Sequence, residues 1–143
     1  MPPHARRGEH RSTLEDKLAA QLKAAGAAYL YEPVVIPYTP AKPRKYKPDF
    51  VLPNGIVIEA KGHFVSEDRS KHKTVKAQHP DLDIRFVFAR PKNLIGKKST
   101  TTYAQWADSH GFQWSEAFIP SEWLREPVNE QSLAALRNLG LDI

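Results

Sequence analysis

The run Pro48-Asp49-Phe50-Val51-Leu52-Pro53-Asn54-Gly55-Ile56-Val57-Ile58-Glu59-Ala60-Lys61 leaves the chain little choice of local structure. Two short apolar segments flank a turn, so the run reads as a β-hairpin. Asn54-Gly55 suits a two-residue turn, whereas Leu52-Pro53-Asn54-Gly55 suits a type I turn with Pro second, Asn third and Gly in a left-handed bulge position. The two turns give different registers. With a two-residue loop Leu52 pairs with Val57, and Asp49 and Glu59 point to opposite faces. With a three-residue loop Leu52 pairs with Ile56, and Asp49 lies across from Glu59 with Cβ atoms about 5 Å apart. Strand side chains alternate, so Lys61 then shares the face of Glu59. In that register Phe50, Leu52, Ile56 and Ile58 form a core face, while Asp49, Glu59 and Lys61 form a chemical face with Val51 and Val57.

Two carboxylates at that separation are hard oxygen donors suited to Mg²⁺ or Mn²⁺, with coordination positions left for water and a phosphate oxygen. A lysine beside them can orient the water and offset charge developing on phosphorus. The set suits phosphodiester hydrolysis, with Asp49 and Glu59 as metal ligands. An arbitrary D…ExK match is more often three solvated residues. Here the preceding Pro48, the turn and the basic surroundings favour chemistry.

The chain carries a formal charge of +5, and its pI near 9.5 favours a polyanionic partner. With 143 residues and 41% hydrophobic content it can form one domain, or a protomer completed by a partner. No apolar run is long enough to span a membrane, and no secretory leader is evident. The absence of cysteine excludes disulfides, thiolate ligands and cysteine nucleophiles, and fits a cytoplasmic setting.

Residues 1–11 are basic, with Arg6, Arg7 and Arg11, and read as a flexible arm able to grip phosphates. Ser12 caps a helix with Leu14, Leu18, Leu22 and Ala25 as its apolar stripe, and Gly26 stops it. By spacing alone, Glu15 is the reciprocal partner of Ser12 in a capping box. Tyr29 to Ile36 reads as an edge strand or bulge because Pro33 lacks a ladder donor. Residues 37–48 are too rich in proline for helix and too basic for core. They read as a stiff, extended connector, with Lys42, Arg44, Lys45 and Lys47 between Tyr38 and Tyr46 as candidate DNA contacts.

Ser66 reads as the cap of a basic helix bearing Arg69, Lys71, Lys73 and Lys76, with either solvent or DNA along its face. His63, His72 and His79 lack metal-ligand spacing and read as surface residues. Asp83 to Ala89 is a strand with a buried face. Lys97 and Lys98 stand in a basic loop. A helix capped by Thr101 or Thr102 carries Tyr103, Trp106, Ala107 and His110 on one face. Phe112 to Phe118 contains the last strand, Pro120 opens a short helix, and Ser132 to Leu139 forms another in a C-terminal tail, 127–143. The expected order is α, β, β-hairpin, α, β, α, β.

The chain resembles the PD…(D/E)xK nucleases and, among them, the phage endonuclease I class of Holliday-junction resolvases. The resemblance covers roughly residues 11–126 through Arg11-Ser12-Thr13-Leu14-Glu15-Asp16-Lys17, Lys47-Pro48-Asp49-Phe50-Val51-Leu52-Pro53-Asn54-Gly55, Glu59-Ala60-Lys61-Gly62, Gln78-His79-Pro80-Asp81-Leu82-Asp83-Ile84-Arg85 and Ile119-Pro120-Ser121-Glu122-Trp123. It implies a restriction-endonuclease-like α/β fold with a mixed central sheet flanked by helices, spanning 12–126. It also implies active-site positions at Glu15, Asp49, Glu59 and Lys61, a homodimer, and branched DNA, above all four-way junctions, as partner. Domain swapping is implied as well. The connector, if extended, spans up to about 40 Å and can carry the N-terminal helix onto a partner. A non-catalytic DNA-binding or assembly subunit of the same fold, and a transposase-type end-cleaving nuclease, are the competing readings. A binding module has no need of an intact Asp49, Glu59 and Lys61 set.

Overall fold

The computed structural model describes residues 12–38 and 44–142. The sequence readings at Arg6, Arg7, Arg11 and Lys42 lie outside the described residues. Helix α1 (Thr13–Ala24) begins at Ser12, whose side chain accepts from the Glu15 N–H, and Gly26 follows it at φ +67°. Its buried stripe is Leu14, Leu18, Ala19 and Leu22, with Ala25 exposed. The next extended segment is broken in two. Strand β1 (Leu30–Tyr31) ends at Glu32, whose φ is +47°, and β2 (Ile36–Tyr38) starts beyond Pro33.

Strand β3 (Arg44–Tyr46) pairs antiparallel with β2, joining Ile36 to Tyr46 and Tyr38 to Arg44. The described ends of the connector expected to run extended are extended, but they pair antiparallel with each other. Burial explains this: Ile36, Tyr38 and Tyr46 all enter the core, which a straight linker in one chain would leave in water.

Strands β4 (Phe50–Val51) and β5 (Ile56–Lys61) form the central hairpin. Phe50 pairs with Ile58 and Val51 with Val57, and the Leu52 N–H donates to Ile56 O at 2.9 Å. This is the three-residue register, with Gly55 at φ +91°. The turn is held from outside as well. Asn54 is buried and gives its amide to the carbonyls of Trp123 and Glu126, and a Cβ on Gly55 would lie 2.9 Å from Asn129 O.

After β5 the chain crosses over through α2 (Ser66–Gln78) to β6 (Asp83–Phe88), which pairs parallel with β5. Val65, rather than the expected Ser66, is the N-cap of α2, and no side chain caps it. Helix α3 (Tyr103–Ser109) is capped by Thr102 in a full capping box with Gln105, and leads to β7 (Trp114–Glu116), parallel to β6. Helices α4 (Ser121–Arg125) and α5 (Glu130–Asn138) complete the described chain. The main sheet has the order β1-β4-β5-β6-β7, antiparallel on one side of β5 and parallel on the other.

Helices cover both faces. Phe50, Leu52, Ile56 and Ile58 pack with α1 and with Ile119 and Trp123. Val51, Val57, Phe86 and Phe88 pack with Val75, Trp106, Leu133 and Leu136 from α2, α3 and α5. The hairpin thus lacks the division into one core face and one chemical face that its alternation suggests. Each fully buried apolar side chain contributes about 1.5–3 kcal/mol, and the chemistry is confined to the end of β5, beyond Val57. Among the described residues no helix is long and apolar enough to cross a membrane.

Candidate active site

The three-residue register continues one pair beyond Phe50 and Ile58, which sets Asp49 opposite Glu59. Asp49 Oδ2 accepts from the Ala60 N–H at 2.8 Å, so its carboxylate is fixed by the neighbouring strand. On its other side β1 pairs Tyr31 with Phe50, and the Glu32 N–H donates to Asp49 O. Carboxylate oxygens of Glu15, Glu32 and Asp49 lie within 4.8 Å of one another, a group able to hold a metal ion. The Glu15 side chain thus reaches toward the sheet, where Tyr31 Oη donates to it at 2.5 Å.

Glu59 belongs to the adjoining half of the site. Its Oε1 accepts from Tyr46 Oη at 2.5 Å, and its Oε2 lies 3.3 Å from Lys61 Nζ. Lys61 is also 3.6 Å from Asp68 Oδ1 on α2. The cleft over these groups has a volume of about 530 Å³, and Lys45, Lys47 and Lys71 contribute to its lining.

Burying Asp49 beside other carboxylates shifts its proton equilibrium. Asp49 is pushed up to about 9, first by burial, then by the charges of Glu59 and Glu15, against the lowering effects of the Ala60 N–H and Lys61. In the absence of a cation the cluster therefore retains a proton. Burial depresses Lys61, but Glu59, Asp68 and Asp49 more than offset it, and the net shift is upward. Lys61 is therefore a cation at neutral pH, a source of positive charge rather than a base. Burial and the Glu59 carboxylate likewise raise Tyr46, keeping its hydroxyl a donor.

Of the residues singled out by sequence, Glu15, Asp49, Glu59 and Lys61 all line this cleft, with Lys45, Lys47 and Lys71 beside them. Arg44, Lys73, Lys97 and Lys98 are exposed. Arg69 gives Nη1 to Phe64 O, and Lys76 gives Nζ to Gly111 O while lying over the Phe112 ring, so both have structural partners. His72 is fully buried against Glu59, contrary to its reading as a surface residue. Seven-residue spacing from His79 says nothing about burial, and the aromatic nest around His72 comes from distant β3, β6 and the α3–β7 turn.

Two more site residues escape the sequence pattern. Tyr46 was assigned to the connector, and Glu32 stands in no motif. The available signal was pairing: had β1 been set against β4, Glu32 would have fallen beside Asp49.

The phage endonuclease I family matches residues 3–142. The chain is similar to Endonuclease I of Escherichia phage T7, 42% identical over 134 residues that cover 93% of this chain and 90% of that protein. It is also similar to Endodeoxyribonuclease 1 of Enterobacteria phage T3, 45% identical over 121 residues, or 84% of this chain and 80% of that one. Matches of this identity and extent show that the chain belongs to the phage endonuclease I family.

Proposed function

We propose that the protein is a metal-dependent, structure-selective DNA endonuclease that resolves four-way and branched junctions by paired phosphodiester hydrolysis. The observation that carries this reading is the juxtaposition of Glu15, Asp49, Glu59 and Lys61 in one basic-rimmed cleft, with Glu32 beside Glu15 and Asp49. The names of the related phage proteins support it. A module that only bound DNA would gain nothing from burying carboxylates where phosphates must approach.

The donors fit a hard divalent cation. All are carboxylate oxygens, and Glu32 Oε2 is buried without a hydrogen-bond partner. Asp49 and Glu59, with Glu15 and Glu32, would hold Mg²⁺ or Mn²⁺, which supplies Lewis acidity and water activation at the phosphate. The chain's own residues do the rest. Ala60 fixes Asp49, Tyr46 fixes Glu59, and Lys61 presents positive charge where it develops on phosphate oxygens. Lys45, Lys47 and Lys71 hold the flanking backbone, so affinity falls as salt rises. The test compares nicking and binding of four-way, Y-shaped and linear DNA with Mg²⁺. The proposal predicts nicks at branch points and a strong preference for branched DNA; equal cleavage and affinity on linear duplex would mark a general nuclease.

Resolution needs two symmetric nicks, which a two-fold dimer provides. The β2–β3 pairs are symmetric about position 41. Straightened, residues 36–46 of two chains would make the same pairs with one another across a two-fold axis, exchanging α1 and β1. Glu15 and Glu32 of one chain would then join Asp49, Glu59 and Lys61 of the other. Coexpressing a Glu15→Ala chain with an Asp49→Ala chain decides this. A swapped heterodimer has one intact site and regains single nicks. An unswapped one carries a lesion in each site and stays inactive.

A further inference from the structure

His72 is unused by the chemistry above, and its surroundings are unusual for histidine. Its side chain has no solvent exposure, and it meets the rings of Tyr46 at 5.0 Å and Phe86 at 4.9 Å, both edge-on. Phe64 and Phe112 lie slightly farther off. Neither ring nitrogen has a hydrogen-bond partner. A neutral imidazole carries one N–H, and burying that donor unpaired is costly, whereas phenylalanine would fill such a nest at no polar cost.

One acceptor stands just out of reach: Glu59 Oε2, 3.9 Å from His72 Nε2. That same oxygen is 3.3 Å from Lys61 Nζ. Glu59 Oε1 is already taken by Tyr46. When Lys61 turns to a phosphate, Oε2 loses its contact with that ammonium group. Closing the gap to His72 to about 3 Å needs a shift of less than about 1 Å.

We propose that His72 is a positioning residue whose Nε2–H takes over Glu59 Oε2 when Lys61 leaves it for the scissile phosphate. Glu59 then keeps its orientation through the reaction, held by Tyr46 on one oxygen and His72 on the other. A neutral imidazole in this apolar nest donates through Nε2–H, so the contact adds a hydrogen bond without adding charge. Helix α2 and the surrounding rings fix the donor in place, and little entropy is lost when it engages. This assignment rests on the nuclease reading and extends it to a residue behind the cleft.

The full-length protein, labelled with ¹⁵N-histidine, answers first by NMR. The Nε2–H tautomer is expected at His72; an Nδ1–H tautomer, which leaves Nε2 bare toward Glu59, overturns the proposal. Three variants then separate donor from filler. His72→Phe keeps the packing, His72→Gln places an amide N–H near Nε2, and His72→Asn places one near Nδ1. His72→Phe is expected to keep its melting temperature and to bind four-way junctions within about twofold of the parent. Its single-turnover rate falls about 10–100-fold, while its Mn²⁺ affinity by calorimetry without DNA, where Lys61 still holds Glu59 Oε2, stays near that of the parent. Gln restores most of the loss and Asn does not. A parental single-turnover rate in His72→Phe, or equal defects in Gln and Asn, contradicts the proposal. If His72→Phe does not fold, the tautomer and the Gln–Asn contrast decide. Failure of the parent protein itself to cleave junctions would instead defeat the nuclease reading.

Discussion

Asp49 stands directly across the hairpin from Glu59 because Gly55 adopts φ +91° and closes a three-residue turn. One residue fewer in that turn would send the two carboxylates to opposite faces. The turn is clamped by Asn54 and by the start of α5, where Ser132 Oγ donates to Gly55 O at 2.6 Å. Gly55→Ala adds both a left-handed strain and a Cβ 2.9 Å from Asn129 O. A loss of about 1–3 kcal/mol is expected, read as a lower denaturation midpoint, with nicking reduced in proportion to any register change. An unchanged midpoint would mean that the turn does not set the register.

The raised Asp49 proton affinity has a definite sign. Its ordinary value is 3.8 and its folded value about 9, so the folded chain binds this proton more tightly than the unfolded one. The resulting stability is fully present below about 4 and is lost as pH climbs toward about 9. Metal-free protein therefore loses stability between about pH 5 and about pH 8, and Asp49→Asn flattens that slope. A divalent cation held by this group would displace the proton, so its affinity is expected to rise with pH, and calorimetry in buffers of different ionisation enthalpy should detect net proton release at pH near 7.

Glu32 supplies the orphaned oxygen of the acidic group. Glu32→Gln preserves shape and removes charge. Mn²⁺ affinity should fall by about tenfold or more, with junction affinity in chelator unchanged. Equal Mn²⁺ titration curves for the two proteins would remove Glu32 from the metal group.

Lys61 is charged and held between Glu59 and Asp68. Lys61→Ala should lower the single-turnover rate by about 10²–10³-fold while changing junction affinity little, because its contribution is made in the transition state. A large affinity loss with unchanged turnover would make it a phosphate anchor.

The hairpin was legible from sequence because its alternation and turn chemistry are local, and Gly55 has few other uses beside Asn54. Helix α1 was legible from Ser12 and its leucine stripe for the same reason. The remainder depends on distant pairing. Glu32 joins Asp49 only through the β1–β4 ladder, and Tyr46 meets Glu59 only because it is buried from β3 against β5. Helix α2 reads as a basic helix with either solvent or DNA along its face, yet His72 and Val75 are buried, His72 against rings contributed by other elements. Glu15 was the intermediate case. Its helix was plain, but spacing alone assigned it to the cap rather than to the cleft.

The most direct test of the account is a paired measurement on Asp49→Asn with a four-way junction and Mg²⁺, scoring gel-shift affinity and strand nicking on the same samples. Removing one carboxylate charge while keeping the amide's shape leaves Lys45, Lys47 and Lys71 in place, so the account predicts junction affinity within about threefold of the parent, with nicking reduced by at least about 10³-fold. Mg²⁺-dependent nicking by Asp49→Asn at the parental rate would contradict it.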